Sequence, residues 1–201
     1  LRITPLEAED KLEKTVFLTL SKLPKNSLFD HLMGAYISGV DIIKIGLKNS
    51  ESRKSNLQIR RFLRNTRGFE IFEETDSMVV LKCLLNPGDM PIHASLNRMY
   101  LLLTSLIRDL TSVFGGEDKE FIQDAQDREN EVDALLYLIE RQVRISLDSH
   151  KVASGLKLSR TQAVEFANLA RSLERMMDHA FTISNLVKEN PNLTSNMIDM
   201  A

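Results

Sequence analysis

The chain of 201 residues is poor in several residue types, and each shortage excludes a class of protein. It has no tryptophan and one cysteine, so it can form no intramolecular disulfide and no structural zinc site built on several cysteines. Its five prolines and eight glycines exclude collagen-like and low-complexity sequences. The cysteine, Cys83, lies in an apolar run, which predicts an unreactive thiol in the core.

The sequence also lacks an excess of charge and any long apolar run. Its 26 Lys and Arg residues nearly balance its 28 Asp and Glu residues, leaving a net charge of −2, so a chain-wide basic footprint for nucleic acid is absent. No apolar stretch reaches the length needed to cross a bilayer, and the N-terminus lacks the layout of a signal peptide. The sequence therefore predicts a globular cytoplasmic protein without membrane insertion.

A cluster of turn-forming residues from Asn86 to Pro91 divides the sequence into two halves of different periodicity. Residues 1–88 alternate short strand-like and helical patterns in the order β-α-β-α-β-β, which predicts a small α/β module of the ferredoxin-like kind. Residues 89–201 carry apolar residues at helical spacing in three long segments, which predicts an antiparallel three-helix bundle and an α+β fold class. The predicted strands are residues 15–20, 41–47, 69–75 and 78–85, and the predicted helices are residues 27–38, 55–65, 91–113, 118–147 and 159–189.

Two pairs of acidic residues stand four positions apart on the last two predicted helices. Glu129 and Asp133 lie on the second helix of the bundle, and Glu174 and Asp178 lie on the third. This spacing puts each pair on one helical face, where like charges repel each other. A bound cation would reverse the repulsion, because hard cations prefer several carboxylate oxygens.

The position of these acids is more informative than their spacing. Glu129 and Glu174 fall in apolar stripes that should face other helices, where an unpaired carboxylate is costly. Each therefore needs a proton, a metal ion or a cationic partner. Arg98, Arg171 and Arg175 are available for ordinary salt bridges, so the residues alone leave ion pairing and metal binding both open.

Several catalytic motifs are missing. None of the four histidines follows a Glu by three residues, which argues against a di-iron site of the Glu-x-x-His class. The sequence contains no Gly-x-Ser-x-Gly motif and no phosphate-binding P-loop. These motifs therefore give no sign of nucleophilic catalysis.

Six cationic residues crowd a short stretch of the N-terminal half. Such a run is typical of a solvated helix face. Because Arg60, Arg64 and Arg67 are expected to share a helical side, the run also permits a stripe that faces an anion or a nucleic acid. Its one aromatic neighbour, Phe62, is expected to pack inward. The six residues are Arg53, Lys54, Arg60, Arg61, Arg64 and Arg67.

The two acidic helices resemble the PhoU family of phosphate-uptake regulators. The segment from Glu174 to Ala180 resembles the family's Glu-Arg-x-x-Asp-His-Ala hallmark, and the segment from Glu129 to Asp133 is similar to its Asp/Glu-x-x-Val-Asp helix. The N-terminal half is similar to the archaeal PhoU-like branch. Members of that branch carry a Tyr-x-x-Gly-x-Asp stretch followed by a Gly-Phe/Leu-Glu-Ile segment. The similar stretches of this chain are residues 36–41 and 68–71.

The resemblance implies a helical bundle whose acidic pairs hold iron or another divalent metal ion. It implies a regulator and not an enzyme, which damps phosphate transport and signalling by contacting transporter or signalling proteins. Family members usually carry two three-helix repeats, whereas one is found here, so we expect a homodimer. Met176 and Met177 replace a small residue of the family pattern, and their bulk would crowd a metal cluster. The implied ligands are Glu129, Asp133, Glu174 and Asp178.

The resemblance to the archaeal branch also implies a role in transcription regulation. Its members often begin with an AbrB-like DNA-binding domain, and nothing in this sequence resembles that domain. The first residue, Leu1, is not Met, which fits a sequence from which such a domain is missing. Apart from the basic segment, we therefore expect contact with DNA only through that missing domain.

Two other functions stay open. The α/β half could be a small-molecule sensor that the bundle merely dimerises, since ferredoxin-like modules often bind effectors at their edges. Metal ions on the carboxylates could instead activate water in a hydrolase, although no further acid or base stands out.

Overall fold

The computed structural model of the protein describes residues 13–47, 52–86 and 89–190, without the side chain of Ser52. The chain is mixed α+β, as the sequence predicts. Pro87 and Gly88, at the proposed boundary between the halves, lie outside the described residues. The division into two domains at residue 88 stays a prediction. The strands are β1 (Thr15–Thr19), β2 (Ile42–Gly46), β3 (Phe69–Glu74) and β4 (Met78–Cys83), and the α-helices are α1 (Leu28–Ile37), α2 (Ser52–Asn65), α3 (Ile92–Phe114), α4 (Ala125–Asp148), α5 (His150–Gly155) and α6 (Arg160–Glu189).

The four strands form one sheet in the order β1-β2-β4-β3. β1 and β2 are parallel, with Val16 opposite Ile43, and α1 provides the crossover that a parallel pair requires. β4 is antiparallel to both β2 and β3. The hairpin that the sequence predicts around Asp76 and Ser77 is thus confirmed.

The expectation of a ferredoxin-like module is wrong. That fold runs β-α-β-β-α-β, whereas this half runs β-α-β-α-β-β and places β4 inside the sheet, between β2 and β3. The burial of the two hairpin strands gives a physical reason. Val79, Val80 and Leu81 of β4 are buried in succession, so both faces of this strand are covered, as suits an interior strand. β3 carries exposed Glu73 and Glu74 and suits a solvated edge.

The α/β half has its own apolar core, to which α1, α2 and the sheet contribute. Tyr36, Phe62 and Phe69 meet edge to face, with ring centroids 5.4–6.2 Å apart. Phe62 is fully buried, so the expectation that it packs inward is confirmed. Cys83, predicted to lie in the core, is only half-buried, because it is the last residue of β4. Its thiol donates a hydrogen bond to the carbonyl of Leu85.

The three long helices α3, α4 and α6 pack around a second apolar core, as predicted for a bundle. The Ser159–Gln162 capping box at the start of α6 is present. The predicted helix from Asp118 is interrupted, however. The Asp118 carboxylate accepts from the Glu120 N–H and begins a short 3-10 helix (Lys119–Ile122), and α4 starts only at Ala125. The short helix α5 was not predicted from the sequence.

The two halves meet along α4, which contacts α1 and α2. Gly39 ends α1 with φ +82°, and a side chain there would lie 2.7 Å from Ile145 of α4. Glycine at this position therefore serves both the left-handed backbone and the close approach of the bundle. Within the described part of the chain, no helix has the length and hydropathy that a membrane span needs.

Candidate metal centre

The four candidate ligands lie on α4 and α6, which pack side by side. Glu129 and Asp133 are one turn apart on α4, and Glu174 and Asp178 are one turn apart on α6. Buried neighbours such as Val132 fix the rotation of each helix about its axis. The acids therefore project along the seam between the two helices.

The structure brings all four acids together within one chain. Carboxylate oxygens of Glu129, Asp133 and Asp178 lie within 4.8 Å of one another. Glu174 lies one turn before Asp178 on α6, and after burial the nearby charges of Asp178 and Asp133 raise the pKa of its carboxyl group. We call these four residues the acidic cluster.

The acidic cluster is electrostatically unfavourable in its ionised form. Burial, followed by the charges of Glu129 and Asp178, raises the pKa of Asp133 from 3.8 to about 6. Burial and the Asp178 charge also raise the pKa of Glu129 and that of Glu174 above their usual values. A bound cation would relieve this repulsion.

The arginines that could have neutralised these acids pair elsewhere. Arg98 binds Glu131 with N–O distances of 2.8 and 3.0 Å, and Arg171 binds Glu140 at 2.8 Å. Arg175 lowers the pKa of Glu174 only weakly, as the smallest of several contributions. Among the described residues, no Lys or Arg forms an ion pair with a member of the acidic cluster. The ordinary salt-bridge interpretation of these acids therefore does not hold there.

The donor chemistry fits a hard or borderline divalent cation. The grouped ligand atoms are all carboxylate oxygens, which suit Mg²⁺, Ca²⁺ and Mn²⁺ and also occur around iron. Met177 is buried in the bundle core and Met176 is 51% exposed. The carboxylates of Glu129, Asp133 and Asp178 nonetheless approach one another, so the two methionines do not hold these acids apart.

Two further residues belong to this site and were missed by the sequence analysis. Nε2 of Gln126 donates to Oε2 of Glu129 at 2.7 Å. Tyr137, half-buried, packs against the α/β core, and burial and then the charge of Asp133 raise its pKa. Helical spacing could have found both, because Gln126 precedes Glu129 by three residues and Tyr137 follows Asp133 by four.

The acidic cluster should destabilise the metal-free protein less as the pH falls from 7 toward 4. The pKa of Asp133 is higher in the folded chain than its ordinary value of 3.8, so between about pH 4 and 6 this group binds more protons in the folded state than in the unfolded state. Stability is thus lost as the pH rises through this window. We expect Asp133→Asn to stabilise the metal-free protein at pH 7 by about 1 kcal/mol, a value reduced for partial exposure.

Urea unfolding in the presence of a chelator, at pH 4.5 and pH 7, measures this effect. The advantage of Asp133→Asn over the wild type should shrink at the lower pH. An advantage that grows on acidification would contradict the assigned direction of the pKa shift.

Comparison with known families and structures gives one match. Residues 96–187 match the family model of the PhoU domain, a span that includes the whole acidic cluster. Neither the curated proteins nor the solved structures provide a match. The match supports the PhoU family resemblance and indicates a role in phosphate-uptake regulation. The archaeal branch and the AbrB-like domain stay predictions.

Proposed function

We propose that this chain regulates phosphate uptake and phosphate-responsive signalling in the cytoplasm through protein contacts, and that the acidic cluster holds iron or another divalent metal ion. The proposal treats the chain as a regulator and not as an enzyme. The observation that carries it is the acidic cluster within the residues that match the PhoU domain.

A metal ion would supply charge neutralisation at the seam between α4 and α6. Glu129 and Asp133 would hold it from one helix, and Glu174 and Asp178 from the other. Because the two helices contribute equally, occupancy would stabilise their packing. The expected partners are a second copy of the chain and components of a phosphate transporter or of its signalling system.

The alternative, a small-molecule sensor in the α/β half, receives less support. A cavity at the junction of the halves, lined by Cys83, Arg141 and Gln142 among others, has a volume of only about 10 Å³. That volume accommodates about one water molecule. An amino acid or a nucleotide would not enter it without a rearrangement of α4.

Phosphate uptake in the cells that encode this chain tests the proposal. Deleting the gene should raise uptake of labelled phosphate under phosphate-replete conditions, and the wild-type gene should restore the lower rate. The variant Asp133→Asn/Asp178→Asn should restore it poorly. Asp127→Asn/Glu165→Gln changes two exposed acids of the same helices and should restore it fully. Uptake that the deletion leaves unchanged would refute the regulatory function.

A further inference from the structure

The helix α2 carries the most strongly charged surface of the α/β half. Six cationic side chains between residues 53 and 67 are all exposed, and this stretch contains no Asp or Glu. The whole chain has a net charge of −2, so the residues outside this stretch carry −8. Positive charge is thus concentrated on one element of an otherwise acidic protein. We call these residues, Arg53, Lys54, Arg60, Arg61, Arg64 and Arg67, the basic face.

The basic face is not neutralised within the chain. No ion pair between described residues involves any of its six members. Arg61 lies over the ring of Phe29, 4.2 Å from its centroid, which orients the guanidinium without cancelling its charge. Arg67 was predicted on the same helical side as Arg60 and Arg64, but α2 ends at Asn65 and Arg67 lies just beyond it. Its charge contributes, after that of Arg98, to lowering the pKa of Glu131.

The helix beneath the basic face is firmly held. Ile59 and Phe62 are buried in the α/β core, and the Gln58 side chain accepts a hydrogen bond from the N–H of Phe29 at 3.1 Å. The side chains of Asn65 and Thr66 cap carbonyls of the last turn. The cations therefore project from a rigid rod, about 21 Å long by helical geometry.

We propose that the basic face binds the phosphate backbone of duplex DNA without reading its sequence. Arg53, Arg60 and Arg64 are spaced seven and four residues apart and so share one side of α2. Duplex DNA carries a phosphate charge every ~1.7 Å along its axis, so a rod of this length meets several phosphates. Arginine is well suited to them, because its planar guanidinium can bind phosphate oxygens in pairs.

The chemistry of the basic face favours a duplex over other anionic partners. Single-stranded nucleic acid is held by exposed aromatic rings, whereas Phe62 of this helix is fully buried. A membrane-bound helix inserts an apolar face, but the apolar face of α2 already packs in the core and Leu57 alone is exposed beside the arginines. The interaction that remains is electrostatic contact with a regular array of phosphates.

Fluorescence anisotropy of a labelled 24-base-pair duplex, titrated with the full chain, tests this proposal. With about four phosphate contacts, affinity should fall roughly 100-fold between 50 and 200 mM salt. Arg60→Glu/Arg64→Glu should weaken binding at least tenfold and reduce the salt slope by about 2. Arg108→Glu/Arg144→Glu makes the same change of net charge at exposed sites on α3 and α4 and should bind like the wild type.

Three outcomes would overturn the assignment. The first is a duplex affinity that does not depend on salt, and the second is equal weakening by both pairs of charge reversals. The third is binding to phosphatidylserine vesicles that is at least as tight as binding to DNA and is abolished by Arg60→Glu/Arg64→Glu. Circular dichroism and the melting temperature of each variant establish that lost binding is not lost folding. The phosphate-uptake test is independent of all three.

Discussion

Replacing Arg141 by methionine is expected to lower the free energy of unfolding by about 3–5 kcal/mol. Arg141 belongs to α4, is 3% exposed, and joins the bundle to the α/β half. Its Nη1 donates to the carbonyls of Tyr36 and Val40, both at 2.8 Å, and its Nη2 pairs with Asp41 at 3.3 Å. The guanidinium also lies over the rings of Tyr36 and Phe69.

The large effect follows from what the substitution leaves behind. Methionine fills a similar volume but donates no hydrogen bond, so two carbonyls and the carboxylate of Asp41, itself 6% exposed, lose a partner in a buried place. The melting temperature of Arg141→Met should then be roughly 6–20 °C lower than that of the wild type. Arg141→Lys keeps the charge but loses the planar guanidinium with its several donors. Its free energy of unfolding should lie between that of Arg141→Met and that of the wild type.

Chemical denaturation of Arg141→Met, Asp41→Asn and the double variant measures the coupling free energy between Arg141 and Asp41. We expect the double variant to be less destabilised than the sum of the single variants, because the Arg141–Asp41 interaction can be lost only once and is counted in both single variants. A loss below about 1 kcal/mol for Arg141→Met would mean that Arg141 does not hold the halves together.

Adding Mn²⁺ or Fe²⁺ to the metal-free protein should raise its melting temperature by about 5–10 °C. An ion at 100 times its dissociation constant stabilises the folded state by about 2.7 kcal/mol, and each kcal/mol shifts the melting temperature of a chain of this length by about 2–4 °C. The acidic cluster should bind such an ion because the ion relieves the burial cost and the mutual repulsion that together raise the pKa of Asp133 to about 6.

The matched pair of double variants makes this result specific. Asp133→Asn/Asp178→Asn should melt higher than the metal-free wild type but should not respond to the ion. Asp127→Asn/Glu165→Gln should respond like the wild type. Elemental analysis of protein purified without chelator or affinity tag identifies the bound metal. If all three proteins respond alike, the ions bind the general acidic surface and the acidic cluster is not a metal centre.

The local elements were predictable because their signals lie within a few residues. The capping box of Ser159 and Gln162, the stop at Gly39 and the β3–β4 hairpin each depend on neighbours in the chain, and each is observed. Errors arose where a local interaction competed with periodicity. The Asp118 side chain caps a 3-10 turn, so α4 begins several residues later than the periodicity predicts.

The candidate site was only half predictable. Helical periodicity places Glu129 beside Asp133 and Glu174 beside Asp178, because a separation of four residues always shares a face. Whether the two pairs meet depends on how α4 and α6 are rotated and shifted along each other, which the packing of buried side chains decides. The packing of α3 on α4 likewise brings Arg98 to Glu131, and that of α6 on α4 brings Arg171 to Glu140, choices that the sequence left open.

The sequence by itself determined the order of the strands and long helices, the two apolar patterns and the faces on which the acidic pairs lie. Tertiary structure decided the sheet order, the approach of the acids of α4 to those of α6 and the burial of Arg141 against Tyr36, Val40 and Asp41. The physical reason is the separation along the chain over which each kind of interaction acts. Helical and strand periodicity is set by bonds between near neighbours, whereas strand order and contacts between residues 100 apart depend on which compact arrangement buries most apolar surface and leaves fewest polar groups unpaired.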